Sequence, residues 1–368
     1  MNLPKISVII PMYNAKKYIG DTLDSLLAQT FPDFEVVVVD DCSTDNSVSI
    51  VQSYAEKFDG RLKISRTKKN SGAPGEPGNI GLSLSRGEYL SILDNDDALT
   101  PTAFEELYSV AKKFDADVVA CEQFFYVPNE FWNDTEKIKT LQPRSYSSIV
   151  PVSKPTLIPF DVAERVQDCY NAKFLWPLWS KLIRRDFLVE NEITFAKNLM
   201  QDMLATCCIV YSAEKFVRVP NVINFYRVRK DSLWHNVGEP KKFFGKYVRA
   251  LITGFEYLEN FLSGREFFKQ HPDMKNLALE TYLREILAYL NKIYQKFPVH
   301  KFDEILRQEF SKSSVAALSA YVFSLMNVYR LNFSSAQQHV VELEKIIRQD
   351  KAYIAELEKL VAKLLAKE

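Results

Sequence analysis

Much of what builds familiar functional sites is missing from this sequence. Its cysteines number five, an odd count with no CxxC pair, which argues against a disulfide framework or a zinc site. Of the eleven glycines none forms a GxGxxG fingerprint, and no GKS or GKT follows the glycine-rich stretch, so that stretch is neither a Rossmann fingerprint nor a Walker loop. Basic and acidic residues balance at 47 each, which leaves no bulk charge to favour nucleic acid as a partner. No apolar run approaches the roughly 20 residues that span a bilayer, and no secretory signal opens the sequence. The expectation is a cytoplasmic protein, at most peripheral at the inner face of the cell membrane.

What is present begins with alternating strand and helix patterns over the first 120 residues. Ile6–Ile10 is a β-branched run closed by Pro11, and Glu35–Val39 carries four consecutive valines. Leu62–Ser65, Glu88–Leu93 and Asp117–Cys121 read as further strands. Between them Tyr18–Gln29, Ser47–Phe58, Asn79–Ser85 and Ala103–Phe114 have helical spacing, with Asp45 or Asn46 placed to cap the second helix. Such alternation implies an α/β fold with a mainly parallel sheet, whose ligands sit beyond the carboxyl ends of the strands. Residues 125–170 read as an irregular substrate-side region. From about 240 the pattern is helical, and 337–368 repeats apolar residues in a heptad-like seam, suited to a coiled coil or to a membrane surface.

Chemistry concentrates at those strand ends. Asp94, Asp96 and Asp97 lie within four residues after the fourth strand. Like charges about 4 Å apart repel by about 1 kcal/mol in water and about 4 at an effective dielectric near 20. A hard cation removes that cost, and oxygen ligands without nearby His or Cys suit Mg²⁺ or Mn²⁺. The bland reading of the same residues is a solvated turn before Thr100-Pro101. Asp40-Asp41-Cys42-Ser43-Thr44-Asp45 follows the valine strand, and an acid there can accept from a base imide or a ribose hydroxyl. Gly72, Gly75, Gly78, Gly81 and Gly87 cluster around Asn79, with a flexible loop as the default expectation.

Taken together, Val8-Ile9-Ile10-Pro11-Met12-Tyr13-Asn14, then Val39 through Asp45, then Gly87-Glu88-Tyr89 leading to Asp94-Asn95-Asp96-Asp97, resemble the family 2 glycosyltransferases. The resemblance implies a GT-A (Rossmann-like) fold: a mixed, mainly parallel sheet flanked by helices, then a mostly helical C-terminal region. It implies a catalytic domain over 1–235, divided into a nucleotide-sugar half (1–120) and an acceptor half (121–235). A helical region (236–336) and the amphipathic C-terminal helix (337–368) follow.

Pro11, Tyr13, Asn14, Asp41, Asn79, Asp94 and Asn95 would then bind the donor nucleotide, and Asp96 and Asp97 the metal, Mn²⁺ or Mg²⁺. Asp202, at the end of Asn198-Leu199-Met200-Gln201-Asp202, would be the general base. Trp176, Trp179, Lys181, Arg227, Arg229 and Ser232 would face the diphosphate or the acceptor. The sequence departs from the family's pattern in three places: Gly78 stands where Arg is common, Gln201 where Glu is common, and Cys42 where Gly is common. The implied activity is inverting transfer from a UDP-sugar to a glycan or glycolipid hydroxyl, in cell-surface polysaccharide synthesis. The alternative is a non-catalytic scaffold of the same fold. A homo-oligomer through the C-terminal helix is a further expectation, and nucleic acid is not an expected partner.

Overall fold

The structure, a computed structural model, describes residues 3–229 and 240–294. Four strands, β1 Ile6–Met12, β2 Phe34–Asp40, β3 Leu62–Arg66 and β4 Tyr89–Ile92, alternate with helices α1 Ile19–Leu27, α2 Ser47–Ser53 and α3 Gly75–Leu84. Next come β5 Ala98–Leu99, α4 Ala103–Phe114, β6 Val118–Cys121, β7 Phe124–Pro128, α5 Thr135–Lys139, β8 Pro143–Arg144, β9 Thr156–Ile158 and α6 Val162–Tyr170. Then follow β10 Lys181–Arg184, α7 Arg185–Glu190, α8 Gln201–Ser212, β11 Phe216–Val219 and β12 Asn224–Val228. Helices α9 Pro240–Ser263, α10 Glu266–Gln270 and α11 Pro272–Tyr294 complete the described chain.

The main sheet has eight strands in the order β3-β2-β1-β4-β10-β6-β11-β9. Its first four are parallel, and β10 enters antiparallel between β4 and β6. A smaller sheet, β5-β12-β7-β8, stands beside it. All seven residues of β1 and of β2 are buried, as expected of strands covered on both faces. Helix α4 covers the sheet with Phe104, Leu107 and Ala111 on one stripe, and Asp115, in the left-handed region at φ 48°, ends it.

Three local expectations change. Strand β1 does not stop at Pro11 but runs to Met12, paired with Asp40 of β2. Ile9, two residues before Pro11, gives its carbonyl to Leu93 on the β4 side, and Asn95 reaches the Pro11 carbonyl from that same side. The proline's missing N–H therefore faces a flank where ladder pairing with β4 has already ended at Ile9. Residues 125–170 are not irregular throughout: they hold β7, α5, β8, β9 and α6, of which all but α6 are five residues or fewer, too short for periodicity to reveal.

The glycine cluster is the third change. Gly75, Gly78 and Gly81 of it lie in helix α3, where they are needed for closeness. A Cβ on Gly81 would collide with the Ile9 side chain, and one on Gly75 with the Ala196 carbonyl. Gly81→Ala is expected to destabilise the fold by about 1–3 kcal/mol through overpacking. The urea midpoint measures this, and an unchanged midpoint would show that α3 lifts from β1 without cost.

Helix α8 is apolar on every side, with ten of its twelve residues buried. It therefore runs through the interior and delivers Gln201 and Asp202, at its start, to the strand ends. Helix α9 packs on α8, and α11 packs on α9 and α6.

Candidate active site

Three strand ends build one side of the site. After β1, Asn14 takes a left-handed φ of 48°, and its Oδ1 accepts from the Thr44 amide at 2.8 Å while its own amide donates to Ser43 Oγ at 2.9 Å. Asn14 thus stitches the first loop to the second. Tyr13 beside it stays 47% exposed, leaving a ring face open. After β2, the buried Asp41 carboxylate accepts from Thr67 Oγ1 at 2.8 Å, Ser71 Oγ at 2.9 Å and the Ser71 amide at 3.0 Å. It fastens the 67–71 loop that leads into α3. Cys42 sits at φ 61°, which explains why glycine would serve there, and its thiol donates to the Thr67 carbonyl at 3.3 Å.

After β4 the acidic turn divides by role. Asn95 donates to the Pro11 carbonyl at 2.8 Å and ties the turn to β1. Asp97, expected as a metal ligand, is only 1% exposed. Its Oδ1 accepts from the Arg227 amide at 2.9 Å, and Oδ2 lies 3.3 Å from Asn224 Nδ2. Both oxygens face strand β12, so Asp97 joins the two sheets and presents nothing to a cation. Burial and the nearby Asp96 and Asp94 push its carboxyl well up. Asp96 pairs with Arg229 Nε at 2.5 Å.

Asp94 is the residue under strain of charge. Burial, then the charges of Asp202 and Asp96, raise its carboxyl well above the ordinary range, with Arg229 opposing. Two acids more than a hundred residues apart in sequence thus lie close enough for their charges to interact. Asp202 accepts from the Leu178 amide and weakly from Gln201 Nε2 at 3.4 Å. Burial lifts its carboxyl to about 6, against the pull of the Lys181 charge and those donors. A glutamate at 201 would add a second negative charge beside it; Gln201 supplies a donor instead.

Several expected ligand contacts are taken up by the protein itself. Asn79 makes a two-way bond with the Phe195 backbone, 2.8 Å in each direction, and so pins α3 to the segment before α8. Gly78 leaves room for the same residue: a Cβ there would lie 2.9 Å from the Phe195 ring, which leaves no space for an arginine. Lys181 is buried and donates to the Leu175 carbonyl, the Pro177 carbonyl and Ser180 Oγ at 2.7, 2.9 and 3.1 Å. Burial brings its ammonium down to about 7. All three of its hydrogens hold the 175–180 turn, with none directed to a diphosphate.

Trp179 is 4% exposed and packs between Phe124 and Tyr226, an aromatic core position. Arg227 spends its guanidinium on the Asp96 carbonyl and Asp21, over the Trp132 ring at 3.5 Å. Trp176 is half-buried and offers its carbonyl to Thr206 of α8 at 2.7 Å. Ser232 and the 337–368 seam lie outside the described residues. Tyr146 was not foreseen: its hydroxyl accepts from the Trp176 amide and feels the Asp202 charge. It lies in a stretch whose sequence carries no period or motif to flag it.

Residues 7–165 match the model described as glycosyl transferase family 2. This chain carries a family 2 glycosyltransferase domain. Over 248 residues, 66% of the chain, it is 31% identical to a poly(ribitol-phosphate) beta-glucosyltransferase of Bacillus spizizenii. Over 235 residues, 62% of the chain, it is 30% identical to the poly(ribitol-phosphate) beta-N-acetylglucosaminyltransferase TarS of Staphylococcus aureus. The chain spans 35% and 36% of the lengths of these two relatives. The crystal structure of TarS residues 1–349 in complex with UDP-GlcNAc matches 87% of this chain and 79% of that one, with a TM-score of 0.53 at 23% identity. That likeness fixes the fold of the glycosyltransferase domain as GT-A.

Proposed function

We propose that this chain moves a sugar from a UDP-sugar to a hydroxyl acceptor with inversion, in the synthesis of a cell-surface polysaccharide or glycoconjugate. The observation that carries this reading is that Asp94 and Asp96, after β4, and Asp202, in the first turn of α8, are close enough for the charges of the other two to act on Asp94. The relatives' names and the UDP-GlcNAc complex of TarS support the donor class. Tyr13 offers its open face to the base, and Asp41 keeps the 67–71 loop in place behind it.

Asp94 and Asp96 suit a hard divalent cation, Mg²⁺ or Mn²⁺, because two crowded carboxylates without His or thiol are what such ions take. No group of three or more acidic, His or Cys side chains among the described residues could hold a metal alone. Asp94 and Asp96 would hold such an ion, which would offset the charge developing on the diphosphate leaving group. Asp202 takes the proton from the acceptor hydroxyl as its oxygen bonds to the anomeric carbon and the bond to the diphosphate breaks. Arg229, paired with Asp96, would face that departing charge.

A base with a carboxyl near 6 works at neutral pH with only part of its population blocked. Its deprotonated form is the active one, so transfer declines as pH falls through about 6 and is steady above. A pH–rate profile that stays flat down to the ordinary carboxylate range would remove Asp202 from the base role. Screening UDP-sugars for divalent-metal-dependent UDP release and sugar transfer tests the whole reading. Release with no UDP-sugar would defeat it.

No helix among the described residues is long and apolar enough to cross a membrane. Contact with the inner membrane face, where a glycolipid acceptor would lie, and pairing of copies through 337–368 belong to the same proposal.

A further inference from the structure

Asp96 has two claimants. One is the divalent cation proposed above; the other is Arg229, whose Nε donates to Asp96 Oδ2 at 2.5 Å. The two side chains are half-buried, at 21% exposed for Arg229 and 16% for Asp96. A charge-assisted pair shielded to that degree is stronger than one on an open surface. The guanidinium also lies over the Tyr18 ring, 4.7 Å from its centre. Its charge reaches Asp94 as well, where it opposes the rise that burial, Asp202 and Asp96 impose on the carboxyl. One guanidinium thus supplies part of the positive charge that these crowded acids call for.

A dication on Asp96 would stand beside that guanidinium, and in a half-shielded site their like charges repel, so the two compete for the carboxylate. Arg227, two residues earlier, is placed differently. It is 5% exposed and bonded to Asp21 and the Asp96 carbonyl, over the Trp132 ring, and its backbone lies within the β12 ladder. Arg229 lies one residue past the last rung of that ladder, Val228 opposite Pro128. Its side chain can therefore leave Asp96 without breaking a strand pair. A nucleotide diphosphate offers the departing guanidinium phosphate oxygens, which match the fork of an arginine.

Resting on the cation and donor assigned above, we propose that Arg229 and the divalent cation are alternative occupants of Asp96, and that Arg229 holds the cation off until a nucleotide diphosphate takes the guanidinium over. Cation and diphosphate then bind cooperatively, each raising the affinity for the other by the same factor. The Arg229–Asp96 pair sets the size of that coupling.

Mn²⁺ titrations of the full chain, read from the paramagnetic resonance signal of the free ion, test this without turnover. With Mn²⁺ alone, Arg229→Met, uncharged and of similar reach, should bind the ion about tenfold more tightly than wild type. Arg229→Gln, a milder change, should show the same gain, so that misfolding of one variant cannot hide the effect. Adding Asp96→Asn to Arg229→Met should abolish the gain, which locates it at that carboxylate. With saturating UDP the advantage of the single variants should vanish, because the wild-type guanidinium has then moved to the diphosphate. Equal or weaker Mn²⁺ binding by both single variants without UDP would overturn the competition. An advantage that persists undiminished with UDP would overturn the hand-over. Wild type that binds UDP but takes up no Mn²⁺, with UDP or without, would defeat the cation assignment itself and the competition with it, and would leave the donor reading standing.

Discussion

Asp202→Asn is expected to lower sugar transfer by about 10²- to 10⁴-fold while leaving UDP affinity unchanged, since a positioned base contributes about that much. The substitution keeps the shape and the hydrogen bond from the Leu178 amide, but the amide cannot take a proton from an alcohol. Nothing that holds the nucleotide loops changes, because Asn14, Asp41 and Asn95 are bonded among themselves and to β1. The buried Lys181 keeps its three oxygen partners. Transfer kinetics beside calorimetric UDP titration make the comparison. Equal transfer by the variant would mean that Asp202 only caps α8 and that the proton goes elsewhere.

Neutralising Asp94 should separate activity from stability. Asp94→Asn is expected to cost about 10²- to 10³-fold in transfer, the scale of several kcal/mol of lost charge stabilisation at the diphosphate. Chelation of divalent ions from the wild type should cause a loss of the same order, restored by Mn²⁺ or Mg²⁺. In the metal-free protein the same variant should melt higher than wild type at neutral pH. Burial and the charges of Asp202 and Asp96 raise the Asp94 carboxyl in the folded state. The folded chain therefore binds that proton more tightly than the unfolded one. Stability from this group is full below the ordinary carboxylate range and declines as pH rises through the raised value. Removing the ionisable group removes that decline. A variant that melts lower at neutral pH and keeps its activity would show that Asp94 is held by donors, with no crowding to relieve.

Asp94 stands out in the sequence for a local reason, whereas Asp202 is singled out by the family resemblance alone. A carboxylate cluster at the end of a buried strand, and valine runs that must be covered on both faces, are patterns of adjacent residues. Pattern alone could not assign roles within the cluster. Asp97 turns inward because β12, more than a hundred residues later, supplies an amide and Asn224 to meet it. Arg227 and Lys181 carry charges that suit a diphosphate, yet Asp21 and three oxygens of the 175–180 turn reach them first. Asn79 illustrates the same competition, since Phe195 occupies both ends of its amide. Tyr146 had no signal at all: a lone aromatic in an irregular segment reads as packing until its neighbours are known.

Sequence by itself determined the β/α order, the strand ends where ligands belong and the carboxylates that would do chemistry, because each depends on the polarity and spacing of near neighbours. Tertiary structure alone decided which of those carboxylates stay open and that Asp202 lies within reach of Asp94's charge. Those outcomes depend on which distant backbone amide or side chain arrives first at a polar group, and no short-range pattern records that.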